Sequence, residues 1–125
     1  MSRATVLVVE DERLIARDLA MLLEDFGYCA VGPATTGEQA IEMTERFRPQ
    51  LVLMDIHLAS VMNGITAAQV IRDQFDIPCV FLSAFGPGEV LERANRAQPA
   101  GFLAKPFTEQ QMAEVISAAL KFPGD

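Results

Sequence analysis

Short apolar runs alternate along this chain with longer amphipathic stretches, and this alternation restricts the fold more than any other feature. Runs that are apolar at successive positions are typical of strands buried on both faces, as parallel strands are. The stretches between them carry apolar side chains at helical spacing. Five such strand–helix units within 125 residues predict an α/β fold in which helices cover both faces of a five-stranded parallel sheet.

The apolar runs set the bounds of the predicted strands. The first is expected at Ala4–Val9 and the third, apolar at four successive positions, at Leu51–Met54. A weaker strand at Tyr28–Val31 is expected at an edge of the sheet. Pro78–Leu82 and Gly101–Ala104 are the fourth and fifth strands. Two Thr/Gln pairs have the spacing of capping boxes and predict the starts of the second and last helices. They are Thr36 with Gln39 and Thr108 with Gln111.

Composition excludes several classes of function. The net charge of −7 would repel a phosphate backbone, so direct nucleic-acid binding is not expected. The first apolar run ends in three acids, unlike a signal peptide, and no run is long enough to span a membrane. Cys29 and Cys79 lack a metal-ligand spacing and are expected to be buried thiols in a reducing compartment. These features indicate a soluble cytoplasmic protein.

Polar side chains stand at the predicted C-terminal ends of the strands. Glu10 and Asp11 follow the first strand and Asp55 follows the third, while Ser83 and Lys105 follow the fourth and fifth. Open α/β sheets bind ligands in the crevice at these strand ends. If the first and third strands are neighbours, as in a common strand order, the three acids meet in that crevice.

Three carboxylates in one crevice repel one another unless a cation neutralises them. Mg²⁺ suits such oxygen ligands, and it would also offset the charge of an incoming phosphoryl group. Asp55 is then a candidate nucleophile that forms an acyl phosphate. Lys105 would supply a second cation, and the Ser83 hydroxyl could donate to a phosphoryl oxygen.

Four segments of the chain resemble, in order and spacing, the signature blocks of response-regulator receiver domains. They are Val6–Glu12, Leu51–Ile56, Phe81–Ala84 and Gly101–Phe107. The resemblance covers essentially the whole chain. It implies a single receiver domain over residues 1–125, with a structured core at about 4–121 and the flavodoxin-like strand order 2-1-3-4-5.

The resemblance also implies the roles of the acidic residues. Glu10 and Asp11 would position Mg²⁺, and Asp55 would be the phosphorylation site. The backbone carbonyl of His57 would complete the metal shell, while the His57 side chain is expected to be exposed to solvent.

The remaining positions of the resemblance imply a phosphate-binding and switching apparatus. Ser83, where Thr is commoner, and Lys105 would bind the phosphoryl group, and the bond from Lys105 to Pro106 is expected to be cis. Phe102 matches an aromatic switch position that turns inward when the Ser83 hydroxyl moves toward the phosphate. Because Phe102 lacks a hydroxyl, its switching would depend on packing alone.

Partners follow from the same resemblance. A sensor histidine kinase or a phosphotransfer protein would supply the phosphoryl group. Movement around Gly86–Gly88 would alter the face formed by a predicted helix at Glu89–Ala97, the fifth strand and the last helix. A downstream protein, an output domain or a second copy of the chain would bind that face. The domain would then be a signalling switch that assists its own phosphorylation and dephosphorylation, and would not be an enzyme acting on other substrates.

Three other functions fit a chain of this kind less well. A flavin-binding protein would need a Ser/Thr/Gly-rich phosphate loop after the first strand, where this chain has three acids. A phosphatase of the haloacid-dehalogenase type would place a second Asp at the position of His57. A receiver-like module that binds partners without phosphorylation stays open, although such modules usually lose one of the acids or the Lys that this chain keeps.

Overall fold

The strands form one parallel sheet in the predicted order. A computed structural model describes residues 3–58, 63–83 and 97–121. Its strands are β1 (Thr5–Val9), β2 (Cys29–Ala34), β3 (Leu51–Asp55), β4 (Cys79–Ser83) and β5 (Gly101–Ala104). The sheet order is β2-β1-β3-β4-β5, and every neighbouring pair is parallel. The expected order 2-1-3-4-5 is therefore confirmed.

Helices pack on both faces of this sheet. They are α1 (Arg13–Asp25), α2 (Gly37–Phe47), α3 (Gly64–Phe75) and α4 (Glu109–Lys121). The predicted helix at Glu89–Ala97, apart from its last residue, and the loop at Gly86–Gly88 lie outside the described residues.

Each face of the sheet has its own hydrophobic cluster. Alternate strand residues such as Val52, Met54 and Phe81 pack with buried side chains of α2 and α3. Their sequence neighbours Leu53 and Val80 pack with those of α1 and α4 on the opposite face. Because successive strand residues face opposite sides, a strand between two helical layers must be apolar throughout. All five residues of β3 are buried, and the first four are apolar, while the fifth is Asp55 at the end of the strand.

The second strand is longer than predicted. It continues beyond Val31 through the exposed Gly32–Pro33 pair to the buried Ala34. Proline lacks an N–H donor but is tolerated at a sheet edge, and β2 is an edge strand, as expected. Ala34 pairs with Val9 after a register shift. The extension matters for the site because the Ala34 carbonyl accepts a hydrogen bond from the Glu10 N–H at 2.9 Å.

One capping box is confirmed in full and the other only in half. At α4, the Gln111 N–H donates to Thr108 Oγ1 at 3.0 Å and the Thr108 N–H donates to Gln111 Oε1 at 2.9 Å. At α2, the Gln39 N–H donates to Thr36 Oγ1 at 3.0 Å. The Gln39 side chain, however, accepts from the N–H and hydroxyl of Thr35. The reciprocal bond to Thr36 was therefore a wrong prediction.

The two cysteines differ in burial. Cys79 in β4 is buried, as predicted, whereas Cys29 is only partly buried. The prediction was wrong for Cys29. This residue lies in the edge strand β2, which has a neighbouring strand on one side only. Among the described residues, no helix is long and apolar enough to cross a membrane.

Candidate functional site

The sheet brings the three predicted acids together at its C-terminal edge. Glu10 directly follows β1 and Asp55 ends β3, and these two strands are parallel neighbours. With Asp11, they place one carboxylate oxygen each within 4.8 Å of the other two. Glu10 and Asp55 are buried, and Asp11 is half-buried. The cluster is therefore largely withdrawn from water, and its charges are weakly screened.

The side chain of Lys105 reaches the acidic cluster from the end of β5. Its Nζ lies 3.3 Å from Glu10 Oε1 and 3.7 Å from Asp55 Oδ2. The Lys105 backbone N–H donates to the Ser83 carbonyl at 2.7 Å, which continues the pairing of β4 with β5 past the end of the sheet. One ammonium cannot neutralise three carboxylates, so the site retains an excess of negative charge.

Backbone N–H groups orient the two buried carboxylates. The His57 N–H donates to Asp55 Oδ1 at 3.0 Å, and the Glu12 N–H donates to Glu10 Oε2 at 3.1 Å. In each carboxylate, one oxygen is thus bound by the backbone and the other faces Lys105. These contacts hold the carboxylates of Glu10 and Asp55 in place despite the repulsion between their negative charges.

The pKa of Glu10 reflects above all the burial of its carboxyl group. Burial, which disfavours the charged form, raises it from an ordinary value of 4.5 to about 7, and the nearby charge of Asp55 adds to the increase. The hydrogen bond from Glu12 and the charge of Lys105 oppose the shift. The ammonium of Lys105, 3.3 Å from Glu10 Oε1, therefore offsets only part of the cost of burying the ionised carboxylate.

The other predicted site residues lie in or directly after strands β3, β4 and β5. Ser83 is fully buried at the last position of β4. Phe102 in β5 is half-buried and packs against the hydrophobic cluster that lies between the sheet and helices α2 and α3. The Lys105–Pro106 peptide bond is cis. The His57 side chain is exposed, as expected.

The start of α3 contributes a feature that the sequence reasoning missed. Asn63 Oδ1 caps the helix by accepting from the Thr66 N–H at 2.9 Å, and the Gly64 N–H donates to the Ile56 carbonyl at 3.1 Å. A side chain at position 64 would overlap the carbonyl oxygen of Asp55. Gly64 therefore lets α3 begin directly against the end of β3. The Asn-Gly pair ahead of an apolar helix was the available signal.

Comparison with known proteins identifies the family. Residues 6–117 match the response regulator receiver domain. The chain therefore belongs to the response-regulator receiver family of two-component signalling, which confirms the resemblance carried by the four sequence blocks. Receiver domains of this family bind Mg²⁺ at an acidic cluster, and the three carboxylates described above are a donor set of that type.

Individual relatives agree with this assignment. The transcriptional regulatory protein PdtaR of Mycobacterium tuberculosis is 39% identical over 115 residues, which are 92% of this chain and 56% of PdtaR. The phyllosphere-induced regulator PhyR of Methylorubrum extorquens is 39% identical over 118 residues, or 94% of this chain and 43% of PhyR. The chain thus spans about half the length of these curated relatives.

A solved structure shows the same architecture. The signal receiver domain of a modulated diguanylate cyclase from Desulfovibrio desulfuricans superposes with a TM-score of 0.89 at 32% identity. The match covers 96% of this chain and 95% of that one.

Proposed function

We propose that this receiver domain accepts a phosphoryl group at Asp55 in the presence of Mg²⁺, and that phosphorylation changes its affinity for a partner. One observation carries the proposal. Three carboxylates from two adjacent strand ends lie within 4.8 Å of one another, with the ammonium of Lys105 3.7 Å from Asp55 Oδ2. A buried acid beside both a cation-binding donor set and a lysine is suited to phosphoryl transfer.

The donor set fits Mg²⁺ in its chemistry. Mg²⁺ prefers oxygen ligands at about 2.1 Å in octahedral geometry, and it is commonly held by one or two carboxylates with several waters. The oxygens of Glu10, Asp11 and Asp55, which lie within 4.8 Å of one another, would move closer together around the ion. The backbone carbonyl of His57 is the proposed protein ligand beyond the carboxylates. When bound, the ion would neutralise the carboxylates and the charge on the transferring phosphoryl oxygens.

Lys105 and Ser83 are proposed to bind the phosphoryl group. Lys105 already faces Asp55 Oδ2, so a phosphoryl group added to Asp55 would place new anionic oxygens close to Nζ. Ser83 ends the strand beside β3 and is fully buried, so a hydrogen bond from its hydroxyl would form in a site with little competition from water. The two groups would stabilise charge that develops during transfer.

The transfer step is a displacement at phosphorus. A carboxylate oxygen of Asp55 forms a bond to the phosphorus of a phosphohistidine while the phosphorus–nitrogen bond breaks. The electron pair of that bond stays on the imidazole nitrogen of the donor. Attack of water on the resulting acyl phosphate later releases inorganic phosphate and restores the Asp55 carboxylate.

The proposed partners act on either side of this step. A sensor histidine kinase or a phosphotransfer protein would donate the phosphoryl group. A downstream protein, an output domain or a second copy would bind the face that includes β5 and α4. A shallow cleft on this face, lined by Phe102, Gln111 and Val115, supports that assignment. Phe102, the proposed switch residue, lies at this cleft. If it turns inward when the Ser83 hydroxyl moves toward the phosphoryl group, the shape of the cleft would change with phosphorylation.

The proposed domain and location complete this function. Residues 1–125 would form one receiver domain with its core at about 4–121, and the family match over 6–117 supports this extent. A reducing cytoplasm, where a histidine kinase would meet the domain, suits the two free thiols of Cys29 and Cys79.

Intact mass measured after incubation with acetyl phosphate and Mg²⁺ tests the proposal. The wild-type protein should gain one phosphoryl group, with acetate as the leaving group, and Asp55→Asn should gain none. Asp73→Asn is the matched control, because it makes the same change on the exposed surface of α3, and it should gain the group as the wild type does.

The alternative function predicts a different outcome. If the wild-type protein binds Mg²⁺ but gains no phosphoryl group from acetyl phosphate or from a kinase phosphohistidine, the domain is a phosphorylation-independent interaction module. If Asp55→Asn is still modified, another residue is the acceptor and the assignment of Asp55 is wrong.

A further inference from the structure

A groove lies beside the edge strand β2, between α1 and α2. Its volume is about 480 Å³, within the roughly 300–1,000 Å³ that is typical of small-molecule sites. Ala16 and Ala20 of α1 line it from one side, Val31 from β2 and Met43 from α2. Small side chains on α1 leave this space open, and much of its wall is apolar.

The charged residues known to line this groove are both basic. They are Arg13 and Arg17, one helical turn apart on α1, and within the described part of the chain no Asp or Glu joins them. This is unexpected in a chain with a net charge of −7. Neither arginine forms an ion pair with another of the described residues. Both guanidinium groups can therefore pair with an anion from outside the chain.

Gln39 of α2 adds a hydrogen-bond donor to the groove. Gln39 Oε1 accepts from the Thr35 N–H at 2.9 Å and from the Thr35 hydroxyl at 2.8 Å. The amide oxygen is thus occupied, and the NH₂ group of Gln39 remains as a donor at the groove. Donors on two sides of an apolar pocket complement an acceptor that carries negative charge.

We infer that this groove binds a small organic anion, with its apolar body against Val31 and Met43 and its acidic head at Arg13 and Arg17. The head would be a carboxylate, sulfonate or phosphate group, since each accepts hydrogen bonds from guanidinium groups. The site uses none of the residues proposed for phosphoryl transfer. Binding is therefore expected to be independent of phosphorylation at Asp55.

Anilinonaphthalene sulfonate is a suitable probe because it joins an aromatic body to one anionic group. Its fluorescence should rise on titration with the folded wild-type protein, and amide chemical shifts should change at Val31, Thr35 and Gln39. The double substitution Arg13→Gln/Arg17→Gln should weaken binding about tenfold, or about 1.4 kcal/mol, because it removes two exposed ion pairs of modest strength.

Two controls separate this site from general adsorption of the probe. Arg46→Gln makes the same change of residue type outside the groove. The Arg46 guanidinium lies 5.6 Å from the ring centre of the exposed Phe47, so an aromatic anion could also adsorb there. This substitution should leave the affinity unchanged. Asp55→Asn should also bind the probe as the wild type does, so failure of the phosphoryl-transfer proposal would not affect this result.

A second variant tests the apolar part of the groove. Ala20→Phe would fill the space beside α1 without changing any charge, and it should reduce binding while circular dichroism shows a native helix content. If that variant does not fold, the arginine variants decide. Equal affinity of the double arginine variant and Arg46→Gln, or no binding to the wild type, would overturn the inference.

Discussion

Substitution of Gly64 by Ala should damage both the stability of the domain and the proposed acceptor site at Asp55. A Cβ at position 64 would overlap the carbonyl oxygen of Asp55 and lie 2.9 Å from the Ile56 Cα. Both obstacles are backbone atoms, so the first turn of α3 or the end of β3 must move. Overpacking against a rigid core costs about 1–3 kcal/mol, and the upper end applies because no flexible side chain can yield. The melting temperature should fall by roughly 10 °C.

Urea denaturation followed by far-UV circular dichroism would measure the loss of stability. Intact mass after incubation with acetyl phosphate and Mg²⁺ would measure the loss of phosphorylation. Gly27→Ala is a matched control because its Cβ would meet nothing within 4 Å. Gly27, two residues after the end of α1, has φ +95°, so Ala there should cost about 1–2 kcal/mol through backbone strain alone. Under folding conditions this control should be phosphorylated normally. A Gly64→Ala protein with wild-type stability and wild-type phosphorylation would refute the reasoning.

Two further predictions concern titratable groups. Because the pKa of Glu10 is about 7 in the metal-free folded protein and 4.5 ordinarily, the folded state retains a proton that the unfolded state releases. The free energy of unfolding in EDTA should therefore fall by up to about 3 kcal/mol as pH rises from 4.5 to 7. In the Glu10→Gln variant, the free energy of unfolding should depend less on pH. If both proteins lose stability equally over this pH range, the raised pKa of Glu10 is contradicted. Burial raises the pKa of the Cys79 thiol to about 12, so iodoacetamide should alkylate Cys29 in the folded protein and Cys79 only after unfolding, as peptide mass mapping would check. Equal labelling in the folded protein would count against the buried position of Cys79.

The acidic centre could be located from sequence because its signals are local. An apolar run that ends in a carboxylate marks the end of a buried strand, and Glu10 and Asp55 both stand at such ends. The prediction that Glu10 and Asp55 lie close together also required that β1 and β3 be neighbours in the sheet. Periodicity does not contain strand order, which came from the resemblance to receiver domains and is observed in the sheet.

The sequence by itself therefore determined the class of fold, the bounds of most strands and the identity of the acids at their ends. Each depends on the residues of one short segment. The tertiary structure decided what depends on residues distant in the chain: the extension of β2 to Ala34, the close approach of Gly64 to Asp55, and the basic groove at Arg13 and Arg17. It also set the raised pKa of Glu10. Desolvation, close packing and Coulomb interactions act through space, so their effects follow from the folded arrangement and not from sequence spacing.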